Sequence, residues 1–348
     1  MLRSSFVLTF LFLCIDLFSI DAFSFELFRP KSRSHIHIVG SSTVYPFTAV
    51  IAETFGRDTE FKTPIVESTG TGGGFKLFCS GVGYNFPDFS NASRPIQKSE
   101  IKKCAENGVK DISEIKIGYD GIVLANSTSG IKYKLTKKQV FLALADKVPD
   151  SDKLITNPYK KWSDIDSSLP KINIAIYGPP TTSGTRDAFV ELVMEDVCDS
   201  MPEFISVFPD TKIRKKKCQI IRSDGAFIEA GENDNLIVQK LKNDPDAMGI
   251  FGFSFLEENH DFIQPVEINK IMPSFDSIVS GTYSVSRPLF IYFKKEHLGL
   301  IRGMREFVHE IVSRNTIGND GYLLQKGLIP LTDLELKKVR DETAGKLN

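Results

Sequence analysis

The sequence predicts an α/β protein whose two lobes are joined by two crossing strands. Short apolar runs alternate with helical patterns before residue 110 and again between residues 137 and 255. This alternation is typical of sheets that bind ligands at the carboxyl ends of their strands. Extended apolar stretches at residues 120–126 and 283–293 separate these regions and indicate a hinge. We therefore predict lobe I at residues 23–120 and 287–348, and lobe II at residues 121–286.

The elements of each lobe follow from hydrophobic periodicity and from helix-start signals. Ser42 or Thr43 is a suitable N-cap for the first helix. The segment at residues 235–255 is predicted to belong to lobe II. Strands are predicted at residues 35–39, 64–67, 86–89 and 172–177, and helices at residues 46–55, 73–78, 98–107, 137–145 and 301–314.

Three short loops combine glycine with hydroxyl side chains. They are Gly-Ser-Ser-Thr at residues 40–43, Ser-Thr-Gly-Thr-Gly-Gly-Gly at 68–74 and Thr-Thr-Ser-Gly-Thr-Arg at 181–186. Each joins a predicted strand to a helix, whose first turn offers unpaired N–H groups and the positive end of the helix dipole. Glycine lets an anion approach the backbone closely. The loops therefore predict a site for a small tetrahedral anion such as phosphate or sulfate.

Composition excludes several other functions. The chain has 348 residues, 41% of them hydrophobic and 25% charged, and a net charge of −1. Without residues 1–22 the net charge is zero, so no global field attracts nucleic acid or an anionic membrane. An anion must then be held by local donors. No cofactor, metal site or nucleic-acid partner is expected.

The N-terminus has the pattern of an export signal. Arg3 precedes an apolar run at residues 6–20, and cleavage after Ala22 would leave a mature chain from residue 23. An uncleaved membrane anchor is the alternative, although Asp16 interrupts the run and the run is short for a spanning helix. We therefore expect an exported protein.

Four cysteines follow this segment. An even number in an exported chain favours disulfides, and pairing within one predicted lobe favours Cys79–Cys104 and Cys198–Cys218. Four buried free thiols are the alternative. A zinc site is disfavoured because the chain has no Cys-x-x-Cys pair.

Six segments recur along the chain in a characteristic order. They are residues 40–46 (GSSTVYP), 70–76 (GTGGGFK), 91–96 (NASRPI), 160–164 (KKWSD), 183–186 (SGTR) and 244–250 (DPDAMGI). With these segments in this order, the chain resembles the periplasmic phosphate-binding proteins of bacterial ABC phosphate uptake systems from about residue 35 to about residue 295.

The resemblance implies a type II-like periplasmic-binding-protein fold with a two-strand hinge and dehydrated phosphate in the cleft. It implies a periplasmic, monomeric protein that catalyses no reaction and that delivers its ligand to a membrane permease. By position, lobe I would contribute donors from Ser42, Thr43, Val44, Thr71 and Gly72, and lobe II would contribute Ser183, Gly184 and Thr185.

The chain departs from the family pattern at two positions. Ser93 stands where many members have an aspartate that accepts the proton of hydrogen phosphate, and Pro179 stands where many have an arginine. Arg94 and Arg186 are predicted to supply the positive charge instead. The candidates for the proton acceptor are Asp88, Asp120 and Glu229.

Other functions stay open at this level. A receptor for sulfate or a phosphate sensor would need the same closing cleft. An exported phosphatase or serine hydrolase is disfavoured because threonines flank Ser183 where a Gly-x-Ser-x-Gly nucleophile has glycines. A nucleotide-binding loop is disfavoured because Lys76 is followed by Leu77 and lacks the usual Gly-Lys-Ser/Thr order.

Overall fold

A computed structural model describes residues 33–231 and 234–347. The predicted export signal at residues 1–22 lies outside the described residues. Within them, no helix is both long and apolar enough to cross a membrane.

The strands are β1 His37–Gly40, β2 Ile65–Ser68, β3 Phe89–Ala92, β4 Ile112–Ser127, β5 Lys134–Leu135, β6 Lys147–Asp150, β7 Lys153–Thr156, β8 Ile176–Gly178, β9 Phe227–Glu229, β10 Met248–Gly252, β11 Ile263–Pro265, β12 Glu267–Ile268 and β13 Ser286–Lys294. The α-helices are α1 Tyr45–Asp58, α2 Thr71–Phe78, α3 Lys98–Glu106, α4 Lys137–Leu144, α5 Trp162–Ile165, α6 Gly184–Phe189, α7 Asp196–Cys198, α8 Pro202–Val207, α9 Thr211–Cys218, α10 Asp234–Asn243, α11 Phe253–Glu258, α12 Phe275–Val279, α13 Met304–Ile311, α14 Arg314–Ile317 and α15 Asp333–Leu347. A π-helix at Val190–Glu195 joins α6 to α7, and 3₁₀ turns lie at Lys295–His297 and Leu324–Lys326.

One long strand, β4, holds the main sheet together. The strand order is β2-β1-β3-β13-β4-β10-β8-β9, and β11 also pairs with β4. The 16-residue β4 runs antiparallel to β13 up to Gly121 and antiparallel to β10 from Ile122 onward. The predicted crossing stretches thus lie in β4 and at β13, and the α/β prediction is confirmed.

The sequence explains why β4 is a central strand. Its second half reads Ile-Val-Leu-Ala-Asn-Ser, and all six of these residues are buried. A continuous buried run is typical of a strand that is covered on both faces. Helix α1 instead has the spacing of an amphipathic helix, with Phe47, Ile51 and Phe55 on its buried face. The Phe55 ring packs edge-on against Phe307 of α13, with ring centroids 5.1 Å apart.

Some predicted bounds differ from those observed. The strand expected at residues 86–89 begins only at Phe89, because the Phe86 N–H turns back to the Gly83 carbonyl. The helix expected at residues 301–314 is divided into α13 and α14, with the Ser313 side chain capping the second helix at the Thr316 N–H. The disulfide prediction is confirmed, since Cys79 is joined to Cys104 and Cys198 to Cys218.

The C-terminal part of the chain, from Ile329 onward, is anchored on β4. The contact lies close to Gly121, the last residue of β4 that pairs with β13. Tyr119 and Ile329 exchange backbone hydrogen bonds of 2.8 and 3.0 Å. The Glu335 carboxylate accepts hydrogen bonds from Lys116 Nζ at 2.7 Å and from the Tyr119 hydroxyl at 2.6 Å. Burial alone would raise the pKa of Glu335, but these donors and the Thr332 N–H lower it from 4.5 to about 2. Ionised Glu335 therefore stabilises the folded chain.

This anchor predicts a pH-dependent stability. A carboxyl whose pKa is lowered by folding stabilises the protein above its unfolded pKa, and this contribution fades as pH falls from about 4.5 toward about 2. Glu335→Gln should lower the free energy of unfolding by roughly 1–3 kcal/mol at pH 7. The difference from wild type should shrink at pH 3, measured by urea unfolding.

Glu342→Gln, an exposed change on the same helix, serves as the control and should have little effect at either pH. An equal loss for Glu335→Gln at pH 7 and pH 3 would contradict the role of the ionised carboxylate.

Candidate functional site

The carboxyl ends of two sets of parallel strands face each other across the molecule. Strand β1 lies between β2 and β3 and is parallel to both, while β8 lies parallel to β9 and β10. The loops after these strands therefore gather at two sheet edges. The edges meet at Gly184, where an added methyl group would lie 3.3 Å from the Ser42 carbonyl oxygen and 3.4 Å from Thr43 Cα.

A cavity of about 240 Å³ opens beside this contact. Its walls come from the start of α1, from β4, from the start of α6, from the start of α10, from the β10–α11 turn and from the turn at residues 326–327. The lining residues are Thr43, Pro46, Phe47, Asp120, Ser183, Gly184, Thr185, Asp234, Gly252, Ser254, Phe255, Lys326 and Gly327.

Two of the predicted loops supply polar groups to this cavity. Thr43 is buried at the end of the first loop, just before α1. Ser183 is the N-cap of α6, and its Oγ accepts a hydrogen bond of 3.2 Å from the Thr185 N–H. A hydroxyl oxygen that accepts one bond retains its own proton as a donor. Thr43, Ser183, Gly184 and Thr185 thus line one cavity. The Ser42 carbonyl lies against Gly184, and buried Val44 is next in the chain.

The second loop lies beside the third family segment. The Thr71 and Ser93 hydroxyl oxygens are 3.0 Å apart, and the Ser93 N–H donates to Thr71 Oγ1 at 3.2 Å. Neither Thr71 nor the exposed Gly72 is among the residues that line the cavity. A side chain at Gly74 would overlap Gly40, with its Cβ 2.5 Å from the Gly40 Cα. Glycine here allows α2 to begin directly against β1.

The two arginines predicted to supply positive charge are engaged elsewhere. Arg94 forms a bidentate pair with Glu100, at 2.9 and 2.8 Å. Arg186 donates to the Pro179 carbonyl at 3.2 Å, and its guanidinium lies 4.3 Å from the centre of the Phe227 ring. Burial lowers the pKa of Arg186. The structure places neither guanidinium among the residues that line the cavity.

Of the three carboxylates predicted as proton acceptors, Asp120 alone lines this cavity. Asp88 is fully buried and already paired, accepting from Arg33 at 2.6 Å and from the His37 N–H at 2.8 Å, with His297 Nδ1 at 2.6 Å. Glu229 is exposed at the end of β9. Burial raises the pKa of Asp120, and the neighbouring Arg287 opposes that rise.

Sequence reasoning missed Arg287. Its side chain is 9% exposed, and Nη2 donates to Thr43 Oγ1 at 2.8 Å. Nη1 pairs with Glu191 of the π-helix, and Nε lies 3.7 Å from Asp120 Oδ2. Arg287 and Asp120 are direct cross-strand partners of β13 and β4. The sequence did show an arginine inside a predicted hinge strand. Which residue this arginine faces depends on the register between β13 and β4.

This architecture is that of a two-lobe periplasmic binding protein. Residues 29–315 match a family model described as a PBP superfamily domain. Protein SphX of Synechococcus elongatus is 31% identical over 306 residues, which cover 86% of this chain and 78% of the relative. The phosphate-binding protein PstS of Staphylococcus saprophyticus is 31% identical over 284 residues, covering 80% and 76%.

Solved structures agree with this assignment. A possible phosphate binding protein from Planctomyces limnophilus has a TM-score of 0.72 and 27% identity, with coverage of 90% of this chain and 99% of that one. An ABC-type phosphate transport receptor from Vibrio cholerae shares the fold at a TM-score of 0.56 and 17% identity, covering 85% and 100%. The chain belongs to the PBP superfamily and, within it, to the PstS-like family, which confirms the resemblance found from its motifs.

Proposed function

We propose that this chain binds inorganic phosphate in the cleft and delivers it to an ABC-type phosphate permease. The observation that carries the proposal is the cavity where the starts of α1 and α6 meet, with Thr43 on one side and Ser183 and Thr185 on the other. The relatives named phosphate-binding protein support phosphate as the anion.

In this proposal the anion is held by hydroxyl and backbone donors from both sheet edges. Ser42, Thr43 and Val44 donate from the α1 side, and residues 183–185 donate from the α6 side. Thr71 and Gly72 approach from the neighbouring loop when the ligand is in place. Lobe I comprises residues 23–120 and 287–348, and lobe II residues 121–286. Closure is favoured because phosphate contacts both lobes only in the closed state.

The chain acts in this proposal without catalysing a reaction. Ser183 caps a helix through its Oγ, and threonines flank it at positions 181 and 185. We further propose that residues 1–22 direct export and that the chain is a monomeric periplasmic protein that passes its ligand on. Phosphatase and esterase assays test this part, and turnover that is abolished by Ser183→Ala would contradict it.

Calorimetry on ligand-stripped protein tests the binding itself. Phosphate and then sulfate are titrated at pH 7 and pH 5. We expect micromolar or tighter binding of phosphate and sulfate binding weaker by about a hundredfold or more, because a site that reads a proton rejects an anion without one. Comparable affinities would favour a general oxyanion receptor, and no binding of either anion would contradict the proposal.

Hydroxyl deletions test the location of the site. Thr43→Ala and Ser183→Ala should each weaken phosphate binding by roughly 1.5–3 kcal/mol, because each removes a hydrogen bond to a charged group. Ser168→Ala, which removes an exposed hydroxyl, is the matched control. Unchanged affinity in both cavity variants, with thermal melts showing an intact fold, would contradict this placement.

A further inference from the structure

The residues that line the cavity carry more acidic than basic groups. Among the described residues, Asp120 and Asp234 are the acidic members of the lining, and Lys326 is its one basic member. An anion in this cavity would lie near two carboxyl groups, so a nearby positive charge is valuable to it. Arg94 and Arg186 lie outside the lining and have other partners. Lys326 is therefore the cation best placed to meet an anion here.

The Lys326 side chain is available for a ligand. It is exposed, and in the part of the chain that the structure describes its ammonium group has no hydrogen bond or ion pair. A lysine combines three donors with a flexible four-carbon stem, so its charge can follow a ligand into place. Arg287, by contrast, adjoins the cavity but is already bonded to Thr43 and Glu191.

The backbone that carries Lys326 is held in place from two sides. The 3₁₀ turn Leu324–Lys326 ends at Gly327, whose φ of +89° is a left-handed conformation that suits glycine. A methyl group added at Gly327 would lie 3.2 Å from Ser254 Oγ, near the start of α11. Two residues further on, Ile329 exchanges backbone hydrogen bonds with Tyr119 of β4. The turn at residues 324–327 is thus fixed at the cavity, and only the lysine side chain needs to move.

An unsatisfied polar atom beside this turn also points to a ligand. Ser254 Oγ is buried and has no hydrogen-bond partner among the described residues, although Ser254 lines the same cavity. Buried polar atoms in folded proteins nearly always have a partner, so this exception calls for an explanation. A bound molecule with oxygen atoms would supply that partner on the side of the cavity where Lys326 lies.

We propose that Lys326 is an anion-binding residue and that the turn at residues 324–327 forms a third wall of the phosphate site. This inference rests on the proposed function and deepens it. The α1 and α6 sides supply neutral hydroxyl and backbone donors, whereas Lys326 supplies a full positive charge. Lys326 lies beyond residues 29–315, which match the family model, and no motif in the sequence marks it. Because an ammonium group acts as a point charge, it raises the affinity for phosphate and for sulfate alike.

The test is calorimetry of the ligand-stripped full chain with inorganic phosphate, at ionic strengths of about 0.1 M and about 1 M. Lys326→Gln should weaken binding by about fivefold or more at 0.1 M, and by less at 1 M, because salt shortens the range of the attraction. Lys326→Arg keeps the charge and should stay within about threefold of wild type. Lys337→Gln removes the same charge from an exposed position of α15 and should stay within about twofold.

The same titrations with sulfate complete the test, since Lys326→Gln should weaken both anions by a similar factor. An affinity of Lys326→Gln within about twofold of wild type at 0.1 M, or an equal loss in Lys337→Gln, would overturn the inference while phosphate binding stands. A loss of the same size in Lys326→Arg would overturn it as well. Wild-type protein that binds neither anion would instead overturn the proposed function. Circular dichroism and thermal melts verify that each variant is folded.

Discussion

The change of hydrogen-bond partner along β4 is the constraint on which the rest of the structure depends. The strand pairs with β13 up to Gly121 and with β10 from Ile122. Because one continuous strand serves both sets, the carboxyl ends of β1–β3 and of β8–β10 are held facing each other. The loops that follow β1 and β8 can therefore reach the same cavity through short segments. Asp120 directly precedes Gly121, the last residue of β4 that pairs with β13.

Much of this arrangement could be predicted from the sequence. Glycine and hydroxyl patterns located the three loops, and the even cysteine count with its local spacing gave both disulfides. These features depend on local chemistry, which a sequence displays directly. The order of six motifs gave the family, because their combined order is far more specific than any one of them.

The charged residues of the site were harder to predict for physical reasons. Arg94 follows Ser93, which contacts the second glycine-rich loop, but its long side chain pairs with Glu100 of the adjacent capping box. Arg186 follows the third loop, yet it turns toward Phe227 and Pro179. Proximity in sequence does not fix the direction of a flexible side chain. The position of Arg287 depends on register between two strands far apart in the chain, which no local pattern records.

The protein is nearly neutral overall, with a net charge of −1. In the proposed function, hydrogen bonds and helix starts therefore supply much of the affinity for the anion.

A crystal structure of the ligand-stripped chain soaked with phosphate tests this account most directly. The proposed function predicts phosphate in the cavity beside Thr43, Ser183 and Thr185. Phosphate bound outside this cavity, for example at the Arg94–Glu100 pair, would contradict it.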